Sequence, residues 1–287
     1  MAREALAVII HLVCQAASRL QPLSSSASLT ELMPVNRTLI RSPITKSSAP
    51  AWVCPTCAAG MLRLDTSSLS YAMSSESARA SDEEWFGAQH VEYRFIALLK
   101  CDNTACREVA PVAGMGEVDE TPDEQMEQLE YEEQFFPTFF QPSPILISIP
   151  ARCPAAVREQ LHASFSSSWT DANSAANRIR VAVELLLDSL RIARTRKTKT
   201  GRRHRQSLHE RIDALPPQRA DIKDLLLAIK WLGNYGTHET NLTQDSVYDA
   251  LDIFEVVLTN LYSEHPRRIK QLVKVVNKRR GPMPRTR

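Results

Sequence analysis

The sequence predicts an α+β protein: a small β module held by four paired cysteines, followed by a mainly α-helical bundle. Three observations carry that expectation. Two tight thiol pairs, Cys54-Pro-Thr-Cys57 and Cys101-Asp-Asn-Thr-Ala-Cys106, lie among short β-prone runs. From Cys153 onward, apolar residues recur with helical spacing instead. Glycine is scarce (8) and proline common (17 of 287 residues), which favours helices broken by rigid connectors over an extended β-sandwich. The length allows one large domain or two modest ones. An apolar content of 43 % suffices for a core, although aromatics reach only 6 %.

Residues 1–50 read as an extension without a core of its own. The mainly apolar run Ala5–Ala17 contains His11 and Gln15 and is shorter than the ~20 residues a membrane helix needs. Arg3 before it and small residues after it suit a secretory signal. Glu4 dilutes the positive end, however, and no clean A-x-A follows. The blander expectation is that Met33 is the true start and that the protein is cytoplasmic. Ser24–Ala49 is rich in Ser, Thr and Pro and is expected to be disordered.

Residues 51–116 form the expected β module, built on "MLRLDT" (Met61–Thr66), "VEYRFIALLKC" (Val91–Cys101) and "REVAPVAGM" (Arg107–Met115). The Ser/Ala/Glu-rich insertion Ser67–Gly87 offers little to pack. Residues 117–150 are first acidic (Glu117–Glu133) and then a Pro/Phe-rich extended strap, "FFPTFFQPSPILISIP" (Phe135–Pro150). Its four Phe would be sticky if exposed, so they are expected to lie against another element.

Residues 151–265 read as about five helices. Pro154 suits a first turn, with Val157, Leu161 and Phe165 following at every fourth position. Ser174–Leu190 is apolar over most of its circumference, as a central helix would be. Ser207–Leu215 ends at Pro216-Pro217, and Asp221–Leu232 ends with Gly233 as a C-cap. Thr243 can N-cap the last helix, where Val247, Ala250, Leu251, Phe254, Val257, Leu258 and Leu261 follow the helical period closely. Residues 266–287 form a basic tail.

The four cysteines of the module point to a structural zinc ion. A tetrahedral Zn²⁺ needs four soft donors, and two tight turns supply them with little strain. The pairs are separated by 43 residues, and the second has four intervening residues where a tighter turn has two. Loop closure grows costlier only slowly with length, so neither feature forbids the site. Four thiolates leave no coordination position open for water, so the ion would fasten the module and do no chemistry. The competing readings are buried free cysteines, or two disulfides in an oxidising compartment. Cys14 and Cys153 have no partner at metal spacing.

The segments "CPAAVREQLHASFSSSWTD", "SAANRIRVAVELLLDSL", "LHERIDAL", "IKWLGNYGTHE" and "DALDIFEVVLTNLY", after the Pro/Phe strap, resemble the bacterial domain-of-unknown-function family 4145. The resemblance runs from Phe135 to Tyr262, in the family's order. Members commonly carry a cysteine-pair module ahead of the helices, and the family is similar to the HEPN superfamily of helical bundles. Those bundles often serve in prokaryotic defence, toxin–antitoxin and RNA-processing systems, and some are metal-independent ribonucleases. The resemblance implies a role for His238 in proton transfer during attack by an RNA 2′-hydroxyl. It also implies a phosphate-steadying arginine a few residues earlier, but positions 231 to 233 are Trp, Leu and Gly, and Lys230 is a point charge lacking the planar fork.

Asn177, Arg180 and Glu184 share one face of the central helix, and Arg180 and Glu184 are spaced as a helical ion pair, expected to be partly buried. In the catalytic reading Arg180 and Glu184 stand beside His238, with Arg180 as the missing arginine. In the structural reading, which carries more weight, they order the turn around His238. Arg191–Arg205 holds eight Lys/Arg and no acid, and Arg267–Arg287 nine more. Both suit sequence-independent contact with nucleic-acid phosphates, without an aromatic platform for bases. The sequence therefore leads to a non-catalytic, nucleic-acid-contacting or accessory protein, dimeric through its long apolar helices. A metal-independent endoribonuclease and a protein–protein adaptor are the alternatives.

Overall fold

The chain runs through helix α1 (Arg37–Arg41), strands β1 (Leu62–Leu64) and β2 (Ser70–Met73), helix α2 (Ser75–Ala80), and three long strands, β3 (Glu92–Cys101), β4 (Val109–Asp123) and β5 (Gln128–Phe140). Helices α3 (Ala155–Ser168) and α4 (Ala172–Ser189) follow, then a hairpin of β6 (Thr195–Lys197) and β7 (Arg203–Arg205). Helices α5 (Leu208–Asp213), α6 (Ala220–Tyr235) and α7 (Gln244–Tyr262) come next. The computed structural model describes residues 35–123, 128–197, 201–235, 242–263, 272–275 and 277–278. The architecture is thus the predicted α+β mixture, with an antiparallel sheet first and helices after it.

The sheet has the order β1-β3-β4-β5, with β2 also paired to β3, and every pairing is antiparallel. β3 shows why it forms. Phe95, Ala97, Leu99 and Cys101 are buried while Glu92, Arg94, Ile96, Leu98 and Lys100 are exposed, the period of two that puts alternate side chains on opposite faces. A bulge falls between Ala113 and Gly114 of β4. A Cβ at Gly114 would stand 2.1 Å from the Phe136 carbonyl oxygen, so the strands can approach here only because the side chain is absent. The buried face carries Trp52, Leu62, Phe95, Leu99, Val112, Phe135 and Phe140.

Three regions depart from the sequence reading. Residues 117–123 and 128–140 are extended, but as the paired strands β4 and β5; Phe135 and Phe140 are buried, Phe136 is half-buried and Phe139 is exposed. The Ser67–Gly87 insertion contains β2, bonded to β3, and α2, whose N-cap Ser74 accepts from the Ser77 N–H. Residues 35–49, expected to be disordered, hold α1 and an antiparallel bridge in which Ile44 exchanges two 2.8 Å bonds with Phe135.

The helices enclose a second core. α7 buries Val247, Leu251, Phe254, Val257, Leu258 and Leu261, against Val157, Leu161 and Phe165 of α3 and Ile179, Val183 and Leu186 of α4. Each such side chain contributes about 2 kcal/mol by leaving water. Thr243 caps α7 as expected, accepting from the Ser246 N–H at 3.2 Å. Gly233 does not end α6, which runs on to Tyr235. Cys153 is buried, and burial pushes its thiol up to about 11. Among the described residues no helix is long and apolar enough to cross a membrane.

Sheet and bundle belong to one compact unit. Trp169, the C-cap of α3, inserts into the sheet core, 4.5 Å from the Phe140 ring and 6.0 Å from Trp52 between centroids. α7 carries an acidic ridge that receives both connecting segments. The Val35 N–H donates to Asp252, Arg37 reaches Asp245, Asp249 and Asp252, and the Ser148 N–H donates to buried Glu255 at 2.8 Å.

Candidate functional site

The four paired cysteines converge. Cys54 and Cys57 lie on a turn before β1, Cys101 ends β3, and Cys106 closes the turn into β4. All four sulfurs lie within 4.8 Å of one another, with Cys54–Cys106 at 3.8 Å and Cys57–Cys101 at 3.7 Å. A disulfide requires about 2.05 Å, so neither pair is one. Two sulfurs bound to one tetrahedral ion at ~2.3 Å would stand about 3.8 Å apart, which is the spacing found.

The two turns repeat one backbone solution. Ala58 (φ 52) and Arg107 (φ 55), each directly after the second cysteine of its pair, adopt the left-handed conformation. The Ala58 N–H bonds back to the Cys54 carbonyl and the Arg107 N–H to the Asn103 carbonyl, at 2.9 and 3.1 Å. This geometry turns backbone N–H groups toward sulfur, and the Gly60 N–H reaches Cys57 Sγ at 3.3 Å. The Ala59 and Gly60 N–H groups bring the Cys57 thiol down to about 6. Burial raises Cys101 to about 12, with the neighbouring sulfurs adding to it. For Cys106 the Glu108 N–H pulls down, but burial and the Cys57 and Cys54 sulfurs outweigh it. The Cys57 sulfur opposes ionisation of Cys101 and Cys106, so a cluster of thiolates here needs a cation among them. The donor set can hold a metal ion.

The other sequence candidates are placed differently. Arg180 and Glu184 do pair, at 3.8 Å, with Glu184 half-buried and the Arg180 side chain 50 % exposed. Asn177 is exposed as well, because the central helix α4 buries only the face of Ala175, Ile179, Ala182, Val183, Leu186 and Leu187. His238 lies outside the described residues. Arg180 and Lys230 both border one small apolar cavity between α4, α6 and α7.

Among its described residues the basic segment Arg191–Arg205 holds an antiparallel strand pair. β6 and β7 pair Thr195 with Arg205, Arg196 with His204 and Lys197 with Arg203. Its base is anchored by Asp188, which accepts from Arg194 and, at 2.7 Å, from Arg211. Arg211 is only 4 % exposed, a buried cation the sequence reading missed. Arg196, Lys197, Arg203 and Arg205 are exposed. A cleft of about 450 Å³ beside the hairpin is lined by Arg180, Glu184, Arg194, His204, Arg205 and Glu210, among others. Arg180 therefore meets the basic segment. Of the basic tail only residues 272–275 and 277–278 are described, and Leu272 and Val273 there are exposed.

No curated protein and no solved structure matches this chain. Two family models do, each over less than half of it. Residues 42–140, which span the sheet and its cysteines, match a domain of unknown function (DUF8608), and residues 162–279 match the domain of unknown function DUF4145.

Proposed function

We propose that the protein is a non-catalytic binding module. Its sheet is fastened by a structural Zn²⁺ on Cys54, Cys57, Cys101 and Cys106, and its helical half contacts nucleic-acid phosphates through the hairpin at Arg194–Arg205. The observation that carries the nucleic-acid reading is the ordered hairpin with Arg196, Lys197, Arg203 and Arg205 in solvent, beside a cleft that adds Arg180. Flexible cations suffice for backbone contact, and the absence of aromatics in this run leaves sequence unread. Zinc, more than another ion, suits four thiolates on two tight turns. A HEPN-like bundle and a setting in prokaryotic defence rest on the family resemblance alone, and cytoplasmic location on the reduced thiols such a site requires.

The test is binding of a fluorescent 20-nucleotide single-stranded RNA at rising salt. Four phosphate contacts give a slope of about −2.8 in log K against log salt, or roughly 50-fold weaker binding from 50 to 200 mM. Replacing Arg196, Lys197, Arg203 and Arg205 with Ala should remove most of that slope. A salt-independent affinity, or an unchanged one in the variant, overturns the reading.

A further inference from the structure

We infer that a second site, on the outer side of the sheet, binds a lysine or arginine side chain presented by a partner polypeptide. A cavity of about 410 Å³ opens between α2, the turn before β3, and the exposed ends of β3 and β4. One wall is a cluster of three rings: Trp85 lies 5.0 Å from His90 and 6.1 Å from Phe86, and Phe86 lies 6.0 Å from His90. His90 is fixed there because its Nδ1 accepts from the Gly87 N–H at 3.3 Å. Trp85 leaves 60 % of its surface in water, so its ring is accessible from the cavity. Met115 adds a polarisable thioether.

The rim is acidic. Glu76, Glu92 and Glu117 line the cavity, and no Lys or Arg does. From Glu76 to Arg94 the chain carries Glu76, Asp82, Glu83, Glu84 and Glu92 against Arg79 and Arg94. Arg94 holds Glu92 at 3.3 Å on the surface, whereas Glu76 and Glu117 carry no ion pair among the described residues. Aromatic faces beside uncompensated carboxylates attract a cation and repel an anion. Beyond the cavity the same face continues as Ile96, Ala113 and Phe139, adjacent across β3, β4 and β5, with Ile96 61 % and Phe139 52 % exposed. That apolar shelf favours a polypeptide over a free ammonium ion, since residues flanking the cation would lie on it.

The test uses a nine-residue peptide with one central lysine flanked by valines, its arginine and glutamate counterparts, and N-acetyl-lysine amide, titrated into the full chain by calorimetry. The lysine and arginine peptides should bind, the glutamate peptide should not, and the free amide should bind at least tenfold more weakly than the peptide. Trp85→Ala should weaken the lysine peptide about fivefold while Trp85→Phe stays within about twofold of wild type. Glu76→Gln with Glu117→Gln should weaken it about threefold and flatten its salt dependence. These residues are exposed, so circular dichroism should stay unchanged. Equal binding of the glutamate peptide or of the free amide overturns the inference. So does an unchanged affinity in Trp85→Ala, or no binding of the lysine peptide at low salt.

Discussion

Trp169→Ala tests whether sheet and bundle are one cooperative structure. The indole caps α3 yet lies in the sheet core, 6 % exposed, against Trp52 and Phe140. Its Nε1–H donates to the buried Ser143 hydroxyl at 3.0 Å. Truncating a buried Trp to Ala costs about 3–5 kcal/mol, cavity included. Trp169→Phe keeps a ring against Trp52 and Phe140 and loses chiefly the Ser143 bond, about 1 kcal/mol plus a smaller packing loss. At roughly 2–4 °C per kcal/mol for a protein of this size, Trp169→Ala should melt about 10 °C lower than wild type. The assay is urea unfolding followed by far-ultraviolet circular dichroism and by fluorescence. In the wild type the two probes should coincide; in Trp169→Ala they should separate, because removing this side chain uncouples helix signal from sheet signal. Trp231→Ala serves as control, since that indole is 57 % exposed and its loss should stay within about 0.5 kcal/mol. Coincident transitions in Trp169→Ala, with stability within 1 kcal/mol of Trp169→Phe, would refute the idea that this residue joins the two cores.

Two further outcomes follow from the same contacts. Metal analysis of the purified chain should give close to one zinc per molecule; Cys101→Ser or a strong chelator should remove it and lower the melting temperature. A metal-free wild type would end the zinc reading. Asp188→Asn should destabilise by about 3 kcal/mol, because it leaves Arg211, 4 % exposed, without its carboxylate. The Arg194 bond, with Arg211 beside it, holds the Asp188 carboxyl below its usual range. Its contribution is therefore complete above an ordinary carboxylate pKa of about 3.9 and fades as pH falls through the depressed folded value. The gap between Asp188→Asn and wild type should be constant near neutrality and close only in strong acid; a gap that closes between pH 7 and 5 would contradict this assignment.

How much of this was legible in the sequence depends on how far apart the cooperating residues lie. α7 could be read directly, because a capping Thr243 and seven apolar residues at helical spacing are all local signals. The cysteine centre could be read from two short spacings even though 43 residues separate the pairs, since thiol chemistry leaves few uses for such an arrangement. Gly233 misled because glycine inside a helix costs only about 1 kcal/mol relative to alanine, less than the apolar face of α6 returns. The basic hairpin was invisible because strands of three residues with exposed charges on both faces have no period to detect.

The hardest region to read was residues 35–49, whose composition gives no reason to fold alone. Its order comes from partners about 90 to 215 residues away: Asp245, Asp249 and Asp252 on α7 for Arg37, Asp245 for Arg41, and Phe135 for Ile44. The ridge on α7 places Asp245, Asp249, Asp252 and Glu255 at helical spacing, a signal the sequence reading passed over. What it lacked was a partner, because nothing local says which cation or backbone amide will come to it. One end of the segment is tied to the bundle at Asp252 and the other to the sheet at Phe135. The link from β5 to α3 makes the same journey in reverse, stopping at Glu255 through Ser148. Two crossings and one inserted Trp169 therefore join the cores, and the buried cysteines Cys54 and Cys101 lie in the same core as that indole. The cysteine cluster therefore packs into the same core that Trp169 ties to the helices.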